Sequence, residues 1–165
     1  MLTRCGVVVL VWSVVLAVVM SAGCSRNEFD DRTAVVTVDG RATTFTVDTC
    51  GLDATTVFIV GRSSKGDVVQ AVVGVEADGQ SGVLASTGLT VGPDGAELAA
   101  FGAESWQRRG ESGAAPGRID SAQVRGSRIQ VSGRLVQTET AAGAAPAPSV
   151  AFSFDARCDR KDPAP

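Results

Sequence analysis

Cysteine supplies the most distinctive chemistry in this chain of 165 residues, at Cys5, Cys24, Cys50 and Cys158. Histidine and tyrosine are absent. Without histidine, neither a Ser-His-Asp nor a Cys-His relay can be assembled, nor a histidine-containing zinc site. Two cysteines alone make a poor metal site. Carboxylate-only chemistry is open in principle, and Asp48, Asp53, Glu76 and Asp94 are the acids to consider. Their surroundings read mostly as turns and exposed faces. A non-enzymatic chain is therefore expected, with no catalytic residue, no cofactor and no metal.

Cys24 has the most telling neighbours. Met1–Arg4 carries one positive charge, Gly6–Met20 is almost wholly apolar, and Ser21-Ala22-Gly23 precedes Cys24. Ser25-Arg26-Asn27-Glu28 is polar again. A charged start, a short apolar core and a small-residue exit is the layout of a secretory signal. Ala22 and Gly23 give a peptidase unobstructed extended backbone, and a thiol is the one good nucleophile for thioether formation near neutral pH. The segment resembles a bacterial lipoprotein signal. The resemblance implies a diacylglyceryl group on Cys24, cleavage before it, and acylation (palmitate or similar) of the new amino terminus. Ser21 departs from the Leu or Val usual three positions before that cysteine. Two other readings stand beside it: an uncleaved transmembrane helix, the apolar stretch being just short of the ~17–25 residues a span needs, and ordinary secretion with Cys24 a free thiol. One acyl chain gives only marginal, reversible membrane binding, whereas two or three hold a protein firmly. The expected location is the extracytoplasmic face of the cell membrane.

Removal of residues 1–23 leaves roughly 140 residues, enough for one domain with its own core. It also takes away Cys5. With Cys24 acylated, Cys50 and Cys158 remain, in a compartment that permits disulfides. A Cys50–Cys158 bridge is expected; the alternative is two independent buried thiols. The net charge is −3, and loss of Arg4 makes the mature chain one unit more negative. That disfavours nucleic acid as a partner, because phosphate binding needs a basic surface.

The elements positioning these residues read as strands. Residues 24–33 form the lipidated cysteine and a short polar tether, 34–158 a β domain, and 159–165 a disordered tail. Ala34–Val38, the hairpin dipeptide Asp39-Gly40 and Thr43–Cys50 make a first pair. Thr56–Val60 follows. Val69, Ala71, Val73, Val75 and Ala77 alternate with more polar residues, as a half-buried strand requires. Val83–Val91 ends at Pro93-Asp94-Gly95. Glu97–Ala103 is assigned to a strand, although its alanines also suit a helix. Trp106–Arg118 reads as a long exposed loop. Ile119–Arg125 and Arg128–Gln137 flank Gly126-Ser127, and Ala141–Pro148 is an Ala/Pro loop. In the last strand Val150, Phe152, Phe154, Ala156 and Cys158 share one face, so Cys158 points inward. The expected fold is all-β, an antiparallel sandwich or meander of about eight short strands.

In order along the chain, four stretches resemble the LpqH family of mycobacterial lipoprotein antigens: Val36-Thr37-Val38-Asp39-Gly40, Cys50, Gly126-Ser127-Arg128-Ile129-Gln130-Val131-Ser132-Gly133, and Phe152 through Cys158. The resemblance implies an acylated envelope lipoprotein with one disulfide and no assigned catalytic residue. It also implies recognition of the acylated amino terminus by a host Toll-like receptor. That family has a long Thr/Ser/Ala-rich glycosylated tether; this chain has only the short one, so glycans are not expected there. The leading functional reading is a displayed structural or interaction module. The alternative is a carrier for an apolar envelope lipid or glycolipid, which would need a pocket lined by Val, Phe and Leu. Two further segments carry a functional reading beside that of plain solvated loop: Trp106-Gln107-Arg108-Arg109 as a recognition loop, and Thr138–Pro148 as a glycan acceptor.

Overall fold

The computed structural model describes residues 32–52, 55–93, 98–138 and 148–158. They form nine antiparallel strands and one short helix: β1 (Thr33–Val38), β2 (Arg41–Leu52), β3 (Thr56–Ser63), β4 (Val68–Val75), β5 (Gly82–Gly92), β6 (Leu98–Phe101), α1 (Ala103–Arg108), β7 (Arg118–Arg125), β8 (Arg128–Gln137) and β9 (Val150–Arg157). Asp39 and Gly40 both adopt positive φ (48° and 76°) and pair Val38 with Arg41. That is the two-residue turn whose twist matches the flanking strands.

β1 to β6 follow one another as a meander, β7 to β9 make a second one, and β9 pairs with β1. β6 then meets β8 through Leu98–Gln137 and Ala99–Val136, which closes an eight-stranded barrel. β7 is the ninth strand. It lies along the same edge of β8, next to the first residues of β5, where Ser81 and Gln123 bridge and the Val124 amide donates to Gln80 O at 3.0 Å. The antiparallel all-β expectation stands, but the strands close one sheet upon itself where a sandwich would stack two. Two causes act together. β5 is eleven residues long and pairs with β6 only over its second half, and β8 divides one edge between β7 and β6. Neither division leaves a mark in the pattern of apolar residues.

The barrel is filled. Phe45, Phe154, Ile59, Leu89, Ile129, Leu135 and six valines are each less than 2 % exposed. An eight-stranded barrel has an interior just wide enough for such side chains. Thr44, Thr46, Gln70, Gln123, Arg125, Arg128 and Ser153 face outward. This apolar-in, polar-out order is the reverse of strands that cross a bilayer.

The expected loop from Trp106 is corrected in its first part. Residues 103–108 are helical, and the irregular segment begins at Arg109. Alanine, glutamate, glutamine and arginine favour helix locally, with Glu104 in the first turn and Arg108 in the last. Six residues are too few for an isolated helix; α1 holds because it packs on β5. Gly88 pairs with Phe101 across β5 and β6, and a side chain at Gly88 would collide with the Phe101 ring and with Ser105 Oγ. The bare backbone there lets Phe101 lie flat over the strand. Ser86 Oγ donates to Glu104, and Gly102 N donates to Thr87 O at 2.7 Å. The result is that residues 86–91 of β5 are buried on both faces.

Candidate functional site

Cys50 and Cys158, 108 positions apart in sequence, are bridged, with Cα atoms 5.7 Å apart. The separation lies within the range a disulfide requires. The bridge depends on a bulge. Val47 pairs with Gly61 and Thr49 with Val60, leaving Asp48 as the extra residue. Before it, Phe45 and Val47 face the core; after it, Cys50 pairs with the buried Ile59 and packs on the core. A bulge shifts the alternation by one. Without it Cys50 would share the outer face of Thr44 and Thr46. Cys158 follows β9 directly, packs on the core, and its amide donates to Ser127 O at 3.1 Å.

Arg32, assigned above to the tether, belongs to the folded domain. Its guanidinium donates to Val47 O (3.1 Å) and Asp48 O (2.7 Å), and its own carbonyl accepts from Val47 N at 2.7 Å. The bulge is thus held by the residue through which the amino-terminal segment joins the barrel. The Asp48 carboxylate turns outward to Arg62 at 3.2 Å. Cys24 lies outside the described residues, as do Asp53, Asp94 and most of Thr138–Pro148.

The disulfide marks one rim of the barrel. β1, β3, β5 and β8 begin there; β2, β4, β7 and β9 end there, while β6 runs toward it and stops opposite Gly88. Arg125, Arg128 and Arg157 lie side by side on its outer face, Arg128 opposite both of the others. Directly opposed like charges destabilise a sheet. Asp155 offsets part of this: it accepts from Arg128 Nε at 2.9 Å and from Gln130 Nε2 at 2.9 Å. The Asp155 hydrogen bond holds the Arg128 guanidinium above its ordinary pKa. The next rows are polar, Gln123–Gln130–Asp155 and Ser121–Ser132–Ser153, with the Ser121 and Ser132 hydroxyls 2.7 Å apart. The pair flanking Gly126-Ser127 was legible from that turn alone. Arg157 was not, because the long β8–β9 connection conceals the register.

Trp106 stands against Phe101, ring centroids 5.3 Å apart, and Arg109 lies 5.2 Å from the Phe101 centroid. Trp106 Nε1 is buried with no hydrogen-bond partner. The Trp106–Arg109 group therefore spends its aromatic side chain, half-buried, on docking α1. Glu76 is exposed beyond β4. Asp78 organises the following turn, accepting from the Gln80 and Ser81 amides, both at 2.8 Å. Among the described residues the considered acids are not brought together, and no group of three or more His, Cys, Asp or Glu could hold a metal. At the opposite rim, Val36, Val38, Asp39, Arg41, Thr43 and Val91 line an open recess of about 290 Å³. No protein-family model matches the sequence, and comparison with curated proteins returns no match.

Proposed function

We propose that this chain is a lipid-anchored envelope lipoprotein of the LpqH type. It is non-enzymatic and displays its barrel on the extracytoplasmic face through acylated Cys24. The observation carrying the reading is the Cys50–Cys158 bridge. A disulfide between strands far apart in sequence fits an exported domain, and export is what the residues before Cys24 encode. Arg32 adds a geometric reason: this residue, eight positions after Cys24, is already tied into the barrel, so the tether is short. The interior supports display over carriage, since large apolar side chains occupy it.

Intact mass of the native chain tests the anchor. Acylation at Cys24 with loss of residues 1–23 is the expected result. Cys24→Ala is expected to leave the detergent-extracted fraction for the culture medium; a variant still membrane-bound with unchanged lipid labelling would overturn the reading. The recess lined by Val36, Val38 and Val91 keeps the carrier as a second reading. It would win if a stoichiometric lipid co-purified with the native protein.

A further inference from the structure

At the barrel mouth opposite the disulfide, two inward positions break the apolar order. Val36 and Val38 occupy alternate positions of β1 and both pack on the core, so they face inward. Their cross-strand partners on β2, Thr43 and Arg41, share that face. Deeper along β2 the same face carries Phe45, which is 1 % exposed. A charge at an inward position departs from the pattern of the strand, and such departures concentrate at functional sites. Asp39, in the turn between Val38 and Arg41, brings a carboxylate to the same recess, and Val91 reaches it from β5. Among the described residues, neither the Asp39 carboxylate nor the Arg41 guanidinium has a hydrogen-bond or ion-pair partner. The recess is open, about 290 Å³, and its floor is the packed interior, where Val36 is 1 % exposed.

We propose that this mouth binds a small zwitterion with a short aliphatic side chain, of the α-amino acid class. Arg41 takes the carboxylate, Asp39 the ammonium, and Val36, Val38 and Val91 the aliphatic part. Barrel mouths are favoured places for sites that combine an apolar lining with a few polar groups. A guanidinium matches a carboxylate through two parallel hydrogen bonds. The two unpartnered charges select a ligand that carries both signs, because a simple anion meets Asp39 and a simple cation meets Arg41. The filled interior beneath the recess limits the aliphatic part to a few carbons. The inference uses the recess of the second reading with a different class of ligand, and it does not depend on the anchor at Cys24. The tether joins through Arg32 near the other rim, which leaves this mouth at the far end of the barrel.

The test titrates leucine into the native chain held in detergent micelles, with calorimetry for affinity and backbone hydrogen exchange for location. Saturable binding at about millimolar concentration or below is expected. Exchange should slow in residues 37–43 and 90–92, with the disulfide rim unchanged. Isocaproate, which lacks the ammonium, and isoamylamine, which lacks the carboxylate, are each expected to bind about tenfold more weakly or worse. Glycine, which lacks the aliphatic part, should lose a similar factor. Arg41→Gln and Asp39→Asn should each weaken leucine about 10–100-fold. Asparagine tolerates the positive φ of position 39, so the second variant keeps the turn, and an unchanged unfolding midpoint checks that both variants fold. Absence of saturable binding, equal affinity for leucine and either single-charge analogue, or protection away from this mouth would overturn the site. So would a lipid that co-purifies in the recess and is not displaced by leucine, which would return the recess to the carrier reading.

Discussion

Cys50 and Asp48 act as one device, because the extra residue at the bulge is what turns the thiol toward Cys158. Closing a loop of this size constrains the unfolded chain by about 4–5 kcal/mol in the chain-entropy account, and removing a native bridge from a small exported domain costs about 2–5 kcal/mol. Cys50→Ser with Cys158→Ser is therefore expected to lower unfolding free energy within that range in denaturant titration; a change below about 1 kcal/mol would refute it. Asp78 makes a prediction of a different kind. The Ser81 hydroxyl, then the Ser81 and Gln80 amides, hold its carboxyl below the ordinary value of 3.8. A depressed folded pKa means stabilisation that is fully present above the unfolded value and lost as pH falls through the folded one. The stability difference between the native chain and Asp78→Asn should accordingly be constant near neutrality and shrink below about pH 4. A difference independent of pH would show that the turn does not depend on the charge.

At the scale of elements, the hairpins were legible and the docking of α1 was not. Asp39-Gly40 and Gly126-Ser127 sit between strongly alternating runs, so turn chemistry and period-two burial point the same way. In β9, Phe152, Phe154 and Ala156 all proved buried on one face. The bulge at Asp48 had no such signal, because Asp48 and Thr49 are both compatible with an outward position. The helix was hidden for a tertiary reason: six residues acquire their structure from Phe101 lying over Gly88, a contact set by the register of β5 on β6, which the sequence does not reveal. Gly88→Ala is the sharp test. The added methyl must displace the Phe101 ring or Ser105, and overpacking of this kind costs about 1–3 kcal/mol. It should also loosen Trp106 from Phe101, seen as a red-shifted emission of the mature chain. Unchanged stability with unchanged emission would mean that α1 does not depend on this close approach.

For the whole molecule, the terminal strands and the barrel seam differ in how firmly they are held. β9 joins β8 through eight residue pairs and β1 through five, and the disulfide crosses the same region. The ring is completed elsewhere by two pairs, Leu98–Gln137 and Ala99–Val136. Strand pairing contributes through cross-strand contacts, so a two-pair junction is the weakest link of the closed sheet. Local openings expose such links at a small fraction of the global unfolding free energy. Opening the seam need not undo the meander of β1 to β5, since each of those strands keeps both neighbours or its link to β9. Native-state hydrogen exchange should therefore show the amides of residues 98–99 and 136–137 that bond across the seam exchanging through local opening, insensitive to low denaturant. Those linking β8 to β9 should exchange only by global unfolding, with the full denaturant dependence. If the seam amides follow the global process instead, the barrel opens only as a unit, and β7 and α1, packed beside the seam on β8 and β5, must carry the closure that the two pairs alone do not.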